Sequence, residues 1–255
     1  MPRSRRTGVH RLSDGKLSIQ EDALAVECLI QLTSDSDIIS KLLGTPTNLR
    51  ELFVGHAFAE GYGDIRASNI MVDSTDTGSF RARTDASIAQ RTLYERVVTS
   101  SCGACDTDGL EEMSSSLPHF PGPHPNYKHE ILFKAFDQMR SLQDGFQETG
   151  GMHAAGLWSA DEGLHCVSED IGRHNAVDKA IGSALLQNTD LSRQFLLLSG
   201  RCGWDLVAKA SRSGIGTICC IGACSTLAAD TARNLGMRIF SFMKLESCVG
   251  IGVLR

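Results

Sequence analysis

Between residues 195 and 243 the chain presents the same pattern again and again: a short apolar run, a few small or polar residues, then a stretch of helical period. Phe195–Leu198 is a strand candidate followed by Ser-Gly-Arg and a predicted helix from about Trp204 to Arg212. Thr217–Ile221 is the next, followed by Gly-Ala-Cys-Ser-Thr and a predicted helix to Leu235 that Gly236 closes. Met237–Met243 is a third strand candidate. Strands alternating with helices predict a parallel sheet with right-handed crossovers, so the fold class is α/β. Upstream, Ile131, Leu132, Ala135, Phe136, Met139 and Leu142 mark one face of a helix.

The first half reads differently. Asp22–Leu32 suits a strand, Leu49–Glu60 a helix ended by Gly61, and residues 62–100 hold short β-like pieces between polar turns. The segment Asp106–Pro125 carries prolines at 118, 121, 123 and 125, and reads as an irregular, mobile connection. The expected organisation is a flexible tail over 1–16, a smaller α+β domain over 17–105, the connection over 106–127, and an α/β domain over 128–255.

Composition removes several function classes. A formal charge of −5 argues against a nucleic-acid groove. The longest apolar runs are a few residues, too short to span a bilayer. Arg3, Arg5, Arg6 and Arg11 precede no hydrophobic run, so no secretory signal is expected and the place is the cytoplasm. Nine cysteines, an odd number, do not suit a secreted disulfide framework and fit a reducing compartment. Cys28, Cys166, Cys219 and Cys220 lie in apolar segments and read as small hydrophobes, whereas Cys202, Cys224 and Cys248 lie near loops.

Cys102 and Cys105 form the one Cys-x-x-Cys of the chain, on a polar, turn-forming stretch. Such a pair can hold a metal, cycle through a disulfide or carry sulfur as a persulfide. A structural zinc site usually draws on a second pair at similar spacing, and its absence tilts the reading toward reactive sulfur with no metal. In an open parallel sheet, ligands sit beyond the carboxyl ends of the strands. Ser199-Gly200-Arg201, Gly222-Ala223-Cys224-Ser225-Thr226 and Met243-Lys244 fall there. Helix-start amides and the Arg201 fork suit phosphate oxygens, as in a nucleotide or pyrophosphate site. The run Glu169–Lys179 crowds six ionisable residues into eleven, with Arg173, His174 and Asn175 at a helix entrance, and marks a further part of a site. Gly150-Gly151 forms a tight turn that delivers His153.

These stretches, taken in order, resemble the FdhD family of formate dehydrogenase accessory sulfurtransferases. The resemblance rests on Glu60-Gly61, Ser101–Cys105, Thr149–Ala155, Glu169–Lys179 and Ser199–Arg201, and covers the chain from about residue 20 onward. It implies a sulfurtransferase that accepts persulfide sulfur from a cysteine desulfurase. The sulfur then passes to the bis-molybdopterin guanine dinucleotide form of the molybdenum cofactor before insertion into formate dehydrogenase. It further implies a homodimer and a cytidine-deaminase-like α/β fold for the second domain. Cys102 matches the persulfide-bearing cysteine and Cys105 its partner thiol. Phe242, Met243, Lys244, Leu245, Glu246 and Ser247 match the cofactor-binding stretch. Arg201, Arg173, His174 and His153 complete the expected set around the guanine nucleotide moiety. The sequence departs from the family pattern at Asp106, at Gly203, and at Glu246-Ser247, where an anion replaces a cation.

Two other classes compete. A zinc deaminase needs His-x-Glu and then Pro-Cys-x-x-Cys, and no His here is followed two residues later by Glu. A scaffold that holds a metal at Cys102 and Cys105, or delivers the cofactor without transferring sulfur, is the remaining alternative. A simple disulfide oxidoreductase lacks the expected setting, since the thiol pair does not open a clear helix after a strand.

Overall fold

The computed structural model describes residues 1–34, 37–75, 78–88 and 114–254. The protein is α/β, with three sheets among the described residues. The largest is six-stranded, in the order β12-β11-β10-β9-β7-β8. Its centre is the predicted parallel unit: β9 (Phe195–Leu198), β10 (Thr217–Cys220) and β11 (Arg238–Ser241). The sheet is nevertheless mixed. β7 (His153–Ser159) runs antiparallel to β9 and pairs with β8 (Gly163–Asp170), while β12 (Val249–Gly252) runs antiparallel to β11.

Alternate residues of the short central strands enter two different cores. Phe195 and Leu197 pack with Phe240 and Trp158 beneath α2 (His129–Ser141). Leu196, Leu198, Ile218 and Ile239 face the opposite layer, formed by α4 (Arg173–Leu186), α5 (Trp204–Arg212) and α6 (Thr226–Asn234). Both faces are covered, so these strands are buried throughout, Arg238 and Ser241 included.

The N-terminal half forms a four-stranded sheet in the order β4-β3-β6-β5. It comprises β3 (Cys28–Ser34), β4 (Asp37–Gly44), β5 (Ile70–Ser74) and β6 (Phe80–Thr84). Its apolar face packs on α1 (Leu49–Ala59), whose other side crosses α4. Ile30, Leu32, Leu52 and Phe53 therefore share one continuous core with Ala180 and Ile181. Among the described residues, no helix is long and apolar enough to cross a membrane.

Two expectations are corrected. Residues 1–16 do not form a loose tail: β1 (Ser4–Ser13) pairs along its length with β2 (Lys16–Ala25). Asp14 (φ 50°) and Gly15 (φ 73°) supply the paired left-handed residues that a two-residue hairpin turn needs. Arg3 then ties the base of the hairpin to Asp144 (3.3 Å) on α3 (Asp144–Thr149). The second correction concerns the connection, whose part from Ser114 on is anchored. Leu117 is buried, Phe120 donates its N–H to the Leu235 carbonyl (2.9 Å) and stacks on His124, and Trp204 donates to the Ser114 hydroxyl (3.1 Å).

Candidate functional site

The charged run Glu169–Lys179 divides between structure and site. Asp170 accepts from the Lys179 ammonium (2.6 Å) and from the Thr45 amide (3.1 Å), and Asn175 donates to the Leu43 carbonyl (2.8 Å). These contacts fasten the end of β4 to the start of α4. One turn on, Asp178 accepts from Lys209 (2.7 Å) and sits 2.9 Å from His56 Nδ1, while Lys209 also reaches Glu60 (2.5 Å). Burial pushes both carboxyls up, but Lys209 and His56 outweigh it and hold Asp178 and Glu60 below their ordinary range. Burial likewise pulls Lys209 down, and its two carboxylates more than reverse this. Glu169 caps α3, accepting from the amides of Gly145 (2.7 Å) and Phe146 (2.8 Å).

The cavity lies where the strand pattern places it, at the carboxyl edge of the large sheet. It measures about 590 Å³ and is lined there by Ser199, Ile221 and Met243, which follow β9, β10 and β11. Phe136, Met139 and Met152 supply apolar wall, and Arg140, Lys244 and His153 bring cationic or titratable groups. Phe242 adopts φ 51°, a left-handed conformation uncommon outside glycine, and donates its N–H to the Gly222 carbonyl (3.1 Å). The chain thereby turns out of β11 so that Met243 is buried while Lys244 and Leu245 stand exposed at the mouth. Lys244 closes the turn by donating its N–H to the Ser247 carbonyl (2.9 Å).

His153 joins this cavity to a second group of cations. Its ring lies against Gly200, where an added Cβ would meet Nδ1 at 3.3 Å. Burial first, then the nearby charges of Arg173 and Arg201, hold the imidazole below its ordinary value and favour its neutral form. Arg173 opens α4 and lies 4.0 Å from Asp205 near the start of α5. His174 Nε2 contacts the same carboxylate. Burial keeps His174 low despite Asp205.

Of the residues expected to hold cofactor, His153, Met243, Lys244 and Leu245 therefore line one cavity, and Arg173 and Arg201 stand close enough to act on His153. His174 is instead committed to Asp205. Phe242, Glu246 and Ser247 are exposed and lie outside the cavity lining. Cys102, Cys105 and Asp106 lie outside the described residues. Sequence reading missed the α2 side of the cavity, Phe133, Phe136 and Arg140. The helix itself was legible, but nothing in its period distinguishes a residue facing a cavity from one facing the core or solvent.

Comparison with known proteins identifies the family and the fold. The model of the FdhD/NarQ family matches residues 25–249. A Streptomyces coelicolor protein named sulfur carrier protein FdhD is 33% identical, covering 95% of this chain and 91% of its own length. A protein of the same name from Sulfurisphaera tokodaii is 28% identical, covering 95% and 94%. The crystal structure of a putative formate dehydrogenase accessory protein from Desulfotalea psychrophila shares the fold, with a TM-score of 0.76 at 21% identity, over 100% of this chain and 99% of that one. Because the family model spans most of its length, this chain belongs to the FdhD/NarQ family.

Proposed function

We propose that this protein is a cytoplasmic sulfur carrier that takes persulfide sulfur from a cysteine desulfurase onto Cys102. It passes that sulfur to a molybdenum cofactor bearing guanine nucleotide, which is destined for formate dehydrogenase. The observation that carries the reading is the convergence of His153, Met243, Lys244 and Leu245 on one cavity at the carboxyl edge of the sheet. A cavity of about 590 Å³ suits one nucleotide arm of such a substrate, with the remainder lying outside. Apolar walls at Phe136 and Met152 suit a purine, and Lys244, Arg140, Arg173 and Arg201 suit its phosphates. The relatives named sulfur carrier proteins supply the sulfur half of the reading.

Loading is a thiol–persulfide exchange. The Cys102 thiolate attacks the terminal sulfur of the donor's persulfide; the new S–S bond forms as the donor's S–S bond breaks, and the donor leaves as thiolate. Cys105 is suited to relieve the same sulfur by a second exchange. The scaffold alternative requires no such bond. Incubation with a cysteine desulfurase and cysteine, followed by peptide mass spectrometry, separates the two. The carrier gains one reductant-labile sulfur on the Cys102 peptide, and Cys102→Ala loses both that gain and the activation of a partner formate dehydrogenase. Absence of the added sulfur on the wild-type peptide overturns the reading.

A further inference from the structure

Beside the cavity the loops after β9 and β10 approach closely enough for their main chains to pair. Cys202 and Cys224 form an isolated parallel β-bridge, with Cys202 N–H donating to the Ala223 carbonyl (3.0 Å) and Ser225 N–H to the Cys202 carbonyl (3.1 Å). Residues paired this way stand side by side on one face of the ladder, about 4.8 Å apart, inside the separation that a disulfide spans. The two thiols differ in setting. Cys202 is buried, whereas Cys224 is partly exposed and immediately precedes Ser225, the N-cap of α6. Both are free thiols.

We propose that Cys224 and Cys202 form a second redox-active dithiol, with Cys224 the attacking thiolate, Cys202 the resolving thiol, and a hydroperoxide the oxidant. The electrostatics favour this division of roles. Interaction between the two side chains holds the Cys224 thiol below its ordinary value and pushes Cys202 up; Arg233 lowers Cys224 further. The neighbouring Cys220 is pushed up to about 12, chiefly by burial, and is inert.

The chemistry closes in two steps. The Cys224 thiolate attacks one peroxide oxygen, the O–O bond breaks, and the leaving oxygen takes a solvent proton, giving sulfenic acid and water from hydrogen peroxide. The Cys202 sulfur then attacks the sulfenic sulfur. The S–S bond forms, the S–O bond breaks, and the departing hydroxide takes the Cys202 proton to leave as a second water. The two sulfurs together lose two electrons, which the peroxide gains. The product ties the β9–α5 loop, with Arg201, to the β10–α6 loop.

This inference does not depend on Cys102. It is tested by treating the full-length protein with stoichiometric hydrogen peroxide at pH 7.5, alkylating the remaining thiols and mapping the peptides. The expected result is a Cys202–Cys224 cross-linked peptide, two hydrogens lighter than its reduced parts. In Cys202→Ser, dimedone instead labels Cys224. On the native protein, iodoacetamide modifies Cys224 more than about tenfold faster than Cys220, as each unit of pKa separation changes the thiolate fraction tenfold. A wild-type protein of unchanged circular dichroism that yields no Cys202–Cys224 peptide overturns the proposal. A cross-link from Cys224 to any other cysteine overturns it as well.

Discussion

Gly55 on α1 and Gly182 on α4 face each other where the two helices cross. A Cβ on Gly55 would fall on the Asp178 carbonyl, and one on Gly182 on the Glu51 carbonyl. The helices therefore touch main chain to main chain. This contact seats the N-terminal sheet against the layer that carries Arg173, whose charge acts on His153.

Gly182→Ala forces that crossing apart. Because the obstruction is backbone and cannot rotate away, the expected loss is about 3 kcal/mol, the upper part of the range for over-packed cores. Urea unfolding measures it, and a midpoint equal to the wild type would refute the crossing.

Lys209 is the one cation that contacts both Asp178 and Glu60 among the described residues. Lys209→Met leaves the buried Asp178 carboxylate and the partly exposed Glu60 without it and is expected to cost about 3–5 kcal/mol at pH 7. The pH dependence changes sign. In the wild type the folded pKa values of Asp178 and Glu60 lie below their unfolded values. Their stabilisation is complete above about pH 5 and is lost as pH falls through the folded values. In the variant, burial without the ammonium raises the folded values, so stability increases as pH falls from 7 toward 5. Thermal melts across that range distinguish the two slopes.

His153 has a folded pKa held below the ordinary imidazole value. Its contribution to stability is present above about pH 6.5 and is lost as pH falls through the folded value. An anion bound beside Arg173 and Arg201 offsets their charge and lets the imidazole take up a proton. Guanosine diphosphate is accordingly expected to bind several-fold more tightly at pH 6 than at pH 7.5. His153→Gln removes the difference while retaining a polar side chain. Calorimetric titration in buffers of differing ionisation enthalpy reads both the affinity and the proton uptake, and equal pH dependence in the two proteins would rule out His153 as the source.

The sequence was most legible where one period dominates. Phe195–Leu198 and Trp204–Arg212 occur as read, because a short fully apolar run and a clear helical stripe leave no competing assignment. β7 was missed because Ala154, Ala155 and Gly156 carry little strand preference; the strand is selected by pairing with β8 and β9 rather than by its own residues. The hairpin β1–β2 was missed although Asp14-Gly15 announced it, because charged, exposed positions on both strands obscure the alternation. At the site, glycine and cation positions at strand ends pointed to the edge of the sheet where the cavity lies. The roles of Asp170, Asp178 and Lys179 were not legible, since the Thr45, His56 and Lys209 groups that they meet are distant in sequence.

β9 is four residues long, and its odd and even members feed separate cores. Removing or inserting a single residue there would invert the strand, sending Phe195 and Leu197 toward α4–α6 and displacing Ser199 from the cavity wall. Variation in this family member's length is thus tolerable in the loop before β9 but not within it, and the depth of the cavity is set by the frame of one very short segment.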